Sequence, residues 1–208
     1  MNSIERHAHW QTVYQTKGEH DVSWFEESPT ISLELIHATG VSITASIIDI
    51  GGGTSRLVDA LLDAGYSAVT VLDLSEKALE TSKTRLGPQS AAKAKWVAVD
   101  VTAWEPHQAY DVWHDRATFH FLTDPKDRSA YAERVLRTVR PGGHAIIGTF
   151  APDGPERCSG LPVVRYDSAT ISKILGPSFD LLQSQIHAHQ TPTGMIQRFQ
   201  FSRFRRLN

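Results

Sequence analysis

Two acids and a glycine cluster stand where two successive apolar runs of this chain end. Asp49 ends the first run and is followed by Gly51 and Gly53, and Asp73 ends the next run. Glycine can take positive φ and lets a ligand approach the backbone closely. An acid about 20 residues beyond such a loop is placed to accept hydrogen bonds from ribose hydroxyls. These residues predict a nucleotide-binding corner.

The flanking residues predict the elements that must position this corner. Ile47, Ile48 and Ile50 suit a buried parallel strand. Beyond the glycines, apolar residues recur at the spacing of a helix: Leu57, Val58, Leu61 and Leu62. The order strand, glycine turn and helix is the arrangement that nucleotide-binding loops use.

The loop reads Asp49-x-Gly51-x-Gly53-x-Ser55, with serine where dinucleotide-binding loops usually have a third glycine. This motif resembles that of the class I S-adenosylmethionine-dependent methyltransferases, in which an acid precedes the first glycine and a ribose-binding acid ends the second strand. Three later segments match the same family in order: Trp96 to Val101 as the third strand, Tyr110 to Asp115 as the fourth, and Arg140 to Gly143 before the fifth strand at Ala145 to Gly148. The resemblance covers about residues 30 to 150.

The family resemblance implies an α/β fold, a single Rossmann-like doubly wound sheet of seven strands with helices on both faces. Two late segments of alternating character, Phe179 to His189 and Met195 to Phe204, predict a closing hairpin, so that the mostly parallel sheet has an antiparallel last strand. Residues 41–208 are expected to form the S-adenosylmethionine-binding core. Residues 1–40 are expected to form a helical cap over the cofactor and acceptor site, within one domain overall.

The same resemblance implies S-adenosyl-L-methionine as cofactor and S-adenosyl-L-homocysteine as product. The ribose hydroxyls are expected at Asp73 and the adenine beside Asp100. The full set of expected cofactor-binding residues is Asp49, Gly51, Gly53, Ser55, Asp73, Leu74, Asp100, Val101 and His114.

The stretch after the fourth strand supplies the candidate catalytic residues His120, Asp115 and Arg116. It is similar to the Asp-Lys-Gly-Thr-Leu-Asp signature of lysine methyltransferases that modify elongation factor and citrate synthase. Asp115 and Thr118 align with it, whereas Arg116 replaces lysine, alanine replaces glycine, and His120 replaces the second acid. His120 could act as a general base, because imidazole titrates near neutral pH. Its alternative interpretation is a buried structural histidine.

Candidate acceptor-binding residues come from the cap and from the C-terminal half. Tyr14, Trp24 and Phe25 are candidate walls of the acceptor cavity, with ordinary aromatic packing as the alternative for each. Cys158 lies in a loop expected above the strand ends, and His189 shares a strand face with His187. A thiol or soft-metal site formed by Cys158, His120 and these histidines is a further alternative, but no compact ligand spacing supports it, and no metal is expected.

Composition excludes several classes of protein. With 208 residues and a formal net charge of −2, the chain is not typical of proteins that bind nucleic-acid backbones. It has one cysteine, and no apolar run approaches the roughly 18 residues that span a bilayer. We expect no membrane association, a cytoplasmic location, and a monomer or weak dimer.

The sequence therefore predicts a methyltransferase that acts on an oxygen, nitrogen or sulfur atom of a small molecule. A protein-lysine methyltransferase and a non-catalytic S-adenosylmethionine-binding module are the main alternatives. A nicotinamide oxidoreductase, which would need a pyrophosphate at the helix start, is a third.

Overall fold

The computed structural model describes residues 3–208. Before the first strand the chain forms α1 (Ser3–Thr16), a short 3₁₀ turn (Glu19–Asp21) and α2 (Thr30–His37). The first two residues of the expected cap at 1–40 lie outside the described residues. On α1, Arg6, Trp10 and Val13 are buried against the rest of the protein.

Seven strands form the central sheet: β1 (Ser46–Ile50), β2 (Ala68–Asp73), β3 (Ala94–Ala98), β4 (Tyr110–Arg116), β5 (Val139–Phe150), β8 (Phe179–Gln190) and β9 (Ile196–Arg206). The sheet has the strand order β3-β2-β1-β4-β5-β9-β8. Its neighbouring strands are parallel except that β9 is antiparallel to both β5 and β8. This confirms the predicted sheet and its antiparallel last strand.

Helices follow β1, β2, β4 and β5 along the chain, whereas β3 leads to β4 through a segment without a helix. The helices are α3 (Leu57–Asp63), α4 (Glu76–Ala91), α5 (Pro125–Thr138) and α6 (Ser168–Leu175). Asp124 caps α5 by accepting the Lys126 N–H at 2.8 Å, and Ser75 caps α4 through the Ala78 N–H. A small hairpin, β6 (Arg157–Cys158) and β7 (Leu161–Pro162), lies between β5 and α6.

The third strand ends earlier than the sequence indicates. It spans Ala94–Ala98, so Asp100 and Val101 lie in the turn that follows it. The reason is local, because the Asp100 carboxylate accepts the N–H of Thr102 at 2.9 Å and turns the backbone out of the strand. The change places Asp100 beyond the sheet edge, next to α1.

Apolar cores fill both faces of the sheet. One contains Trp113, Phe119 and Tyr131, and the other contains Ile47, Leu57 and residues of α2. The strand order reverses at β1, which lies between β2 and β4. In open parallel sheets, ligands bind at the carboxyl ends of the strands at such a point. In the described part of the chain, no helix combines the length and apolar character that crossing a membrane requires.

Candidate active site

The glycine loop after β1 is held against β2 by its backbone. The Gly51 N–H donates to the Leu72 carbonyl at 2.7 Å. Gly51 has a φ of +65°, and a Cβ atom added there would lie 1.8 Å from Thr118 Oγ1. Gly53 has a φ of +44°, and its Cβ would lie 2.8 Å from the Tyr14 hydroxyl. Both positions therefore need glycine for conformation and for close approach.

Asp73 presents a buried carboxylate at the rim of this loop. Its Oδ1 accepts the Ser75 N–H at 2.8 Å, and its Oδ2 would lie 3.0 Å from a Cβ atom on Gly53. Burial, reinforced by the negative charge of Asp49, raises the pKa of Asp73 to about 7. A buried carboxylate of this kind is stabilised when the hydroxyl groups of a ligand donate hydrogen bonds to it.

A cavity opens above the loop, with about 740 Å³ of empty space that includes open solvent at its mouth. Four aromatic side chains line it: Trp10, Tyr14, Trp24 and Phe121. The sequence-predicted residues that line it are Gly51, Asp73, Leu74, Asp100, Val101, Arg116, Tyr14, Trp24 and Cys158.

The remaining predicted residues lie outside this wall: Asp49, Gly53, Ser55, His114, Asp115, His120, Phe25 and His189. Of these, Gly53 still neighbours the cavity through its contacts with Tyr14 and Asp73. Ser55 lies just before α3, where its Oγ accepts the Leu57 N–H at 3.2 Å.

The Asp100 carboxylate is engaged on both oxygens. Its Oδ2 accepts from Arg6 Nη2 at 2.8 Å and from the Ser3 hydroxyl at 3.0 Å. Its Oδ1 accepts from Thr102 Oγ1 at 2.7 Å. Burial alone would raise its pKa, but the hydrogen bonds from Thr102 and Arg6 lower the pKa of Asp100 below its usual value. Arg6 also pairs with Asp127. Asp100 thus ties α1 to the site.

Asp49 and His114 form a buried pair beneath the glycine loop. Asp49 Oδ1 lies 2.7 Å from His114 Nδ1, and Nε2 of the same ring lies 2.9 Å from the Ser32 hydroxyl. Asp49 on β1 and His114 on β4 are directly opposite each other in the strand pairing. The side chains of Asp49, His114 and Ser32 are all buried. Both ring nitrogens of His114 are occupied, so the ring supports the loop from below rather than facing the cavity.

The Asp115 carboxylate is held by hydrogen bonds from the turn after β4 and from Tyr131 on α5. Its oxygens accept the Thr118 N–H at 2.8 Å, the Phe119 N–H at 3.1 Å and the Tyr131 hydroxyl at 2.6 Å. Burial is the main reason that its pKa is raised to about 7. The carboxylate shapes the turn after β4, where Ala117 has a φ of +71°.

Arg116 connects the cavity wall to a second group of side chains. Its Nη2 donates to the Trp24 carbonyl at 2.7 Å, and its Nη1 lies 3.2 Å from Glu26 Oε1. The same Glu26 oxygen lies 3.4 Å from His189 Nδ1, while His189 Nε2 lies 2.7 Å from the Ser23 carbonyl oxygen. His189 therefore supports Glu26 from outside the cavity.

His120 is fully buried and packs on Phe121 and Phe150. Its Nδ1 accepts the Phe150 N–H at 3.3 Å, and its Nε2 has no hydrogen-bond partner among the described residues. Burial lowers the pKa of His120 to about 3. The ring is neutral at physiological pH and does not line the cavity.

Sequence reasoning missed eight residues of the wall: Arg6, Trp10, Leu72, Val99, Ala117, Thr118, Phe121 and Leu122. Arg6, Trp10 and Tyr14 recur every four residues on α1, so they share one face of that helix. That spacing was the available signal. Phe25 instead packs on His20 and beneath the Arg56 guanidinium. Within residues 3–208, no group of three or more histidine, cysteine or acidic side chains is arranged to hold a metal ion.

A family model described as a methyltransferase domain matches residues 47–143. A malonyl-[acyl-carrier protein] O-methyltransferase of Anoxybacillus flavithermus is 28% identical over 72% of this chain and 56% of its own length. A probable thiol methyltransferase of Arabidopsis thaliana is 29% identical over 74% of this chain and 66% of its own. Lysine methyltransferases of elongation factor 1A also match. The chain spans about half the length of the malonyl-[acyl-carrier protein] O-methyltransferases that it matches.

Solved structures share the fold. The Burkholderia thailandensis 1,6-didemethyltoxoflavin N1-methyltransferase, solved with bound 1,6-didemethyltoxoflavin and S-adenosylhomocysteine, aligns with a TM-score of 0.78. The alignment covers 100% of this chain and 92% of that one, at 21% identity. At this identity the likeness establishes the fold.

Proposed function

Because this chain belongs to the class I S-adenosylmethionine-dependent methyltransferases, we propose that it transfers the methyl group of that cofactor to a small molecule. The family uses S-adenosylmethionine, which supplies a methyl group activated by a sulfonium ion. The protein's tasks are then to hold donor and acceptor in contact and to exclude water.

The residues at the sheet edge fit this cofactor. The buried carboxylate of Asp73, with its raised pKa, is suited to accept hydrogen bonds from the two ribose hydroxyls. The space above Gly51 and Gly53, which any side chain would fill, suits the methionine portion. Leu74 and Val101 line the cavity beyond Asp73 and suit the adenine.

Asp100 has a different role in this proposal from that in the sequence-based expectation. Its carboxylate already accepts hydrogen bonds from Arg6 and Thr102. We therefore assign it to fixing the turn and α1 on the adenine side, and not to direct recognition of the adenine amino group. Residues 3–40 then act as the cap that closes the cofactor site.

The observation that carries the small-molecule proposal is the covered, aromatic cavity. Trp10, Tyr14, Trp24 and Phe121 surround the space beyond the glycine loop, under α1. Flat aromatic walls favour a compact apolar or planar acceptor. The match to a thiol methyltransferase and the likeness to a toxoflavin methyltransferase agree with a small acceptor.

Of the three candidate catalytic residues, Arg116 is the one that lines the cavity. Asp115 and His120 are assigned to holding the turn after β4 and the wall behind it. Protein lysine is the second candidate acceptor, because relatives with that activity match this chain and Asp115 and Thr118 fit their signature.

The test is a transfer reaction with methyl-labelled S-adenosylmethionine and a cell extract divided into macromolecular and low-mass fractions. We expect label in the low-mass fraction. Label in protein would instead indicate a protein-lysine methyltransferase. Cofactor binding with no label in either fraction would favour a non-catalytic binding module. Asp73→Ala should weaken cofactor binding by about 1.5 to 3 kcal/mol, the scale of a lost charge-assisted hydrogen bond. The matched control is Asp63→Ala, which removes an exposed acid at the end of α3.

A further inference from the structure

Two arginines near the C-terminal end of β9 lack the carboxylate partner that most arginines of this chain have. Arg203 Nε donates to the Gln183 side-chain oxygen at 3.3 Å, and its two terminal nitrogens have no partner among residues 3–208. Within the same residues, the Arg205 side chain forms neither a hydrogen bond nor an ion pair. The positive charges of Arg203 and Arg205 are therefore not balanced by a contact within the protein.

Both arginines line a groove at the edge of the sheet opposite the cofactor cavity. The β5–β9 groove, as we call it, is lined by Asp111, Arg140, Gly142, His144, Arg203 and Arg205, among others. Asp111 lies near the start of β4, and Arg140 near the start of β5. The groove thus lies at the amino ends of the parallel strands, and none of its residues lines the cavity.

Strand pairing brings the positive charges together on one face of the sheet. His144 on β5 is directly opposite Arg205 on β9, and Ile146 is opposite Arg203. Because residues two apart in a strand share a face, the side chains of His144, Arg203 and Arg205 project from the same face. Burial lowers the pKa of His144, and the charges of Arg203 and Arg205 lower it further. Both guanidinium groups therefore lie close enough to the imidazole to act on it.

The His144 ring also has a polar atom without a partner. The residue is 7% exposed, and its Nδ1 is buried with no hydrogen-bond partner in the described part of the chain. A backbone group of Phe204 near the ring acts to raise the pKa of His144, but it makes no hydrogen bond with Nδ1. Buried polar atoms normally have partners, so this nitrogen indicates a position that a ligand or its bound water would complete.

The nearby acids do not neutralise the groove. Asp111 Oδ1 accepts from Arg140 Nη1 at 2.8 Å, and its Oδ2 accepts from the N–H and the hydroxyl of Ser46, both at 2.7 Å. Asp180 on β8 is directly opposite Arg205, but it is exposed and forms no ion pair within residues 3–208. An excess of positive charge therefore remains beside His144.

We propose that the β5–β9 groove binds a doubly charged oxyanion of the phosphate type, either the free ion or the phosphate group of a small metabolite. Guanidinium groups present paired N–H donors that match phosphate oxygens, and two of them on one face suit a dianion. Gly142 contributes no side chain that would cover the neighbouring Arg205 guanidinium. This site is separate from the cavity and does not depend on the proposed methyltransferase function.

Titration calorimetry with inorganic phosphate tests the site, with the ionic strength held constant by sodium chloride. We expect saturable binding of one phosphate per chain with a Kd of about 1 mM or tighter. Arg203→Gln and Arg205→Gln should each weaken binding at least about tenfold, the scale of a lost charge-assisted hydrogen bond. The matched control is Arg198→Gln, which removes a half-exposed arginine from the same strand and should leave binding unchanged.

The charge argument also predicts a variant that binds phosphate more tightly. Asp180→Asn removes the acid opposite Arg205 and should strengthen binding by about twofold to fivefold, the scale of a surface charge pair. Asp153→Asn, which removes the exposed acid paired with Arg198, should leave binding unchanged. A gain of affinity cannot result from misfolding, so this variant tests the site even if an arginine variant is unstable.

Glycerol 3-phosphate distinguishes the two sources of the anion. Tighter binding of this ester than of inorganic phosphate would support a phosphorylated metabolite as ligand, and the reverse order would support the free ion. Absence of saturable binding at millimolar phosphate, or equal weakening by Arg198→Gln, would overturn the inference. Neither result bears on the methyltransferase function, which binding of S-adenosylmethionine tests separately.

Discussion

His114 Nδ1 lies 2.7 Å from Asp49 Oδ1, and this contact joins β4 to β1 directly beneath the glycine loop. The carboxylate of Asp49 also packs under the loop, since a Cβ atom on Gly52 would lie 2.7 Å from its Oδ2. The loop therefore rests on a carboxylate whose orientation is set by a histidine from another strand.

We expect His114→Leu to lower the free energy of unfolding by about 1 to 3 kcal/mol, because it leaves a buried carboxylate without its partner. Cofactor affinity should fall as well, since the loop loses its support. Chemical denaturation and titration calorimetry would measure both effects. Ser32→Ala is the matched comparison, because it removes the outer contact of the ring and keeps the bond to Asp49. Equal loss in the two variants would contradict a specific role for the Asp49 contact.

The raised pKa of Asp73 predicts a stability penalty in the cofactor-free protein. The folded value of about 7 lies above the reference value of 3.8, so the contribution of Asp73 to stability is complete below pH 3.8 and is lost as the pH rises to 7. At pH 8, the free energy of unfolding of Asp73→Asn should therefore exceed that of the unmodified protein by about 1 to 3 kcal/mol. The two proteins should be of similar stability near pH 4.

The same substitution should reduce the stabilisation that S-adenosylmethionine provides, because the amide replaces the charged acceptor of the ribose hydroxyls. Thermal unfolding with and without cofactor at pH 8 would reveal both effects. A variant that is less stable without cofactor and equally stabilised by it would contradict both the pKa and the ribose assignment.

Gly51→Ala should abolish cofactor binding and destabilise the fold. A methyl group at this position would lie 1.8 Å from Thr118 Oγ1, in a backbone region that L residues rarely adopt. Gly40→Ala provides the control, since Gly40 has a φ of +72° but open space around it. It carries the conformational cost alone, about 1 to 2 kcal/mol. The difference between the free energies of unfolding of the two variants measures the steric contribution. Equal values would show that the loop rearranges to accommodate the methyl group at little energetic cost.

His120 predicts a loss of stability in acid. Burial lowers its pKa from 6.5 to about 3, so its contribution to stability is present above pH 6.5 and is lost as the pH falls toward 3. The slope of unfolding free energy against pH near pH 5 should be reduced in His120→Leu by up to about 1.4 kcal/mol per pH unit. His107→Leu, which replaces an exposed histidine, is the matched control.

The activity of His120→Leu tests the general-base hypothesis separately. A buried, neutral ring outside the cavity predicts a modest effect on kcat and no change in the pH dependence of kcat/KM. A pH profile that lost an ionisation in this variant would restore His120 as a base.

The sheet and the glycine loop were predictable from the sequence because their signals are local. Buried parallel strands give continuous apolar runs, and Gly51 and Gly53 mark a backbone that only glycine adopts readily. The order of the later motifs then fixed the remaining strands by family resemblance. Strand ends differed in two places. β3 ends at Ala98, where the side chain of Asp100 turned the backbone, and β5 spans Val139–Phe150 and so includes the Arg140 to Gly143 segment expected to precede it.

The roles of the polar residues at the site depend on contacts that sequence spacing does not encode. Asp115 follows the fourth strand as a catalytic acid would, but Tyr131, 16 residues later, donates to it and removes it from the cavity. Likewise, Arg6 occupies Asp100 from a distance of 94 residues along the chain. Side-chain pairing between distant elements decides which acids remain available to a ligand.

Two of the five tryptophans, Trp10 and Trp24, face the cavity, while Trp104 and Trp113 are buried in the core on one face of the sheet. The indole rings of Trp10 and Trp24 approach each other edge to face, with 5.7 Å between their centroids. Intrinsic fluorescence should therefore respond when a ligand displaces water from these rings. Trp10 and Trp24 thus provide an optical reporter at the proposed binding site, so that candidate acceptors can be screened without label.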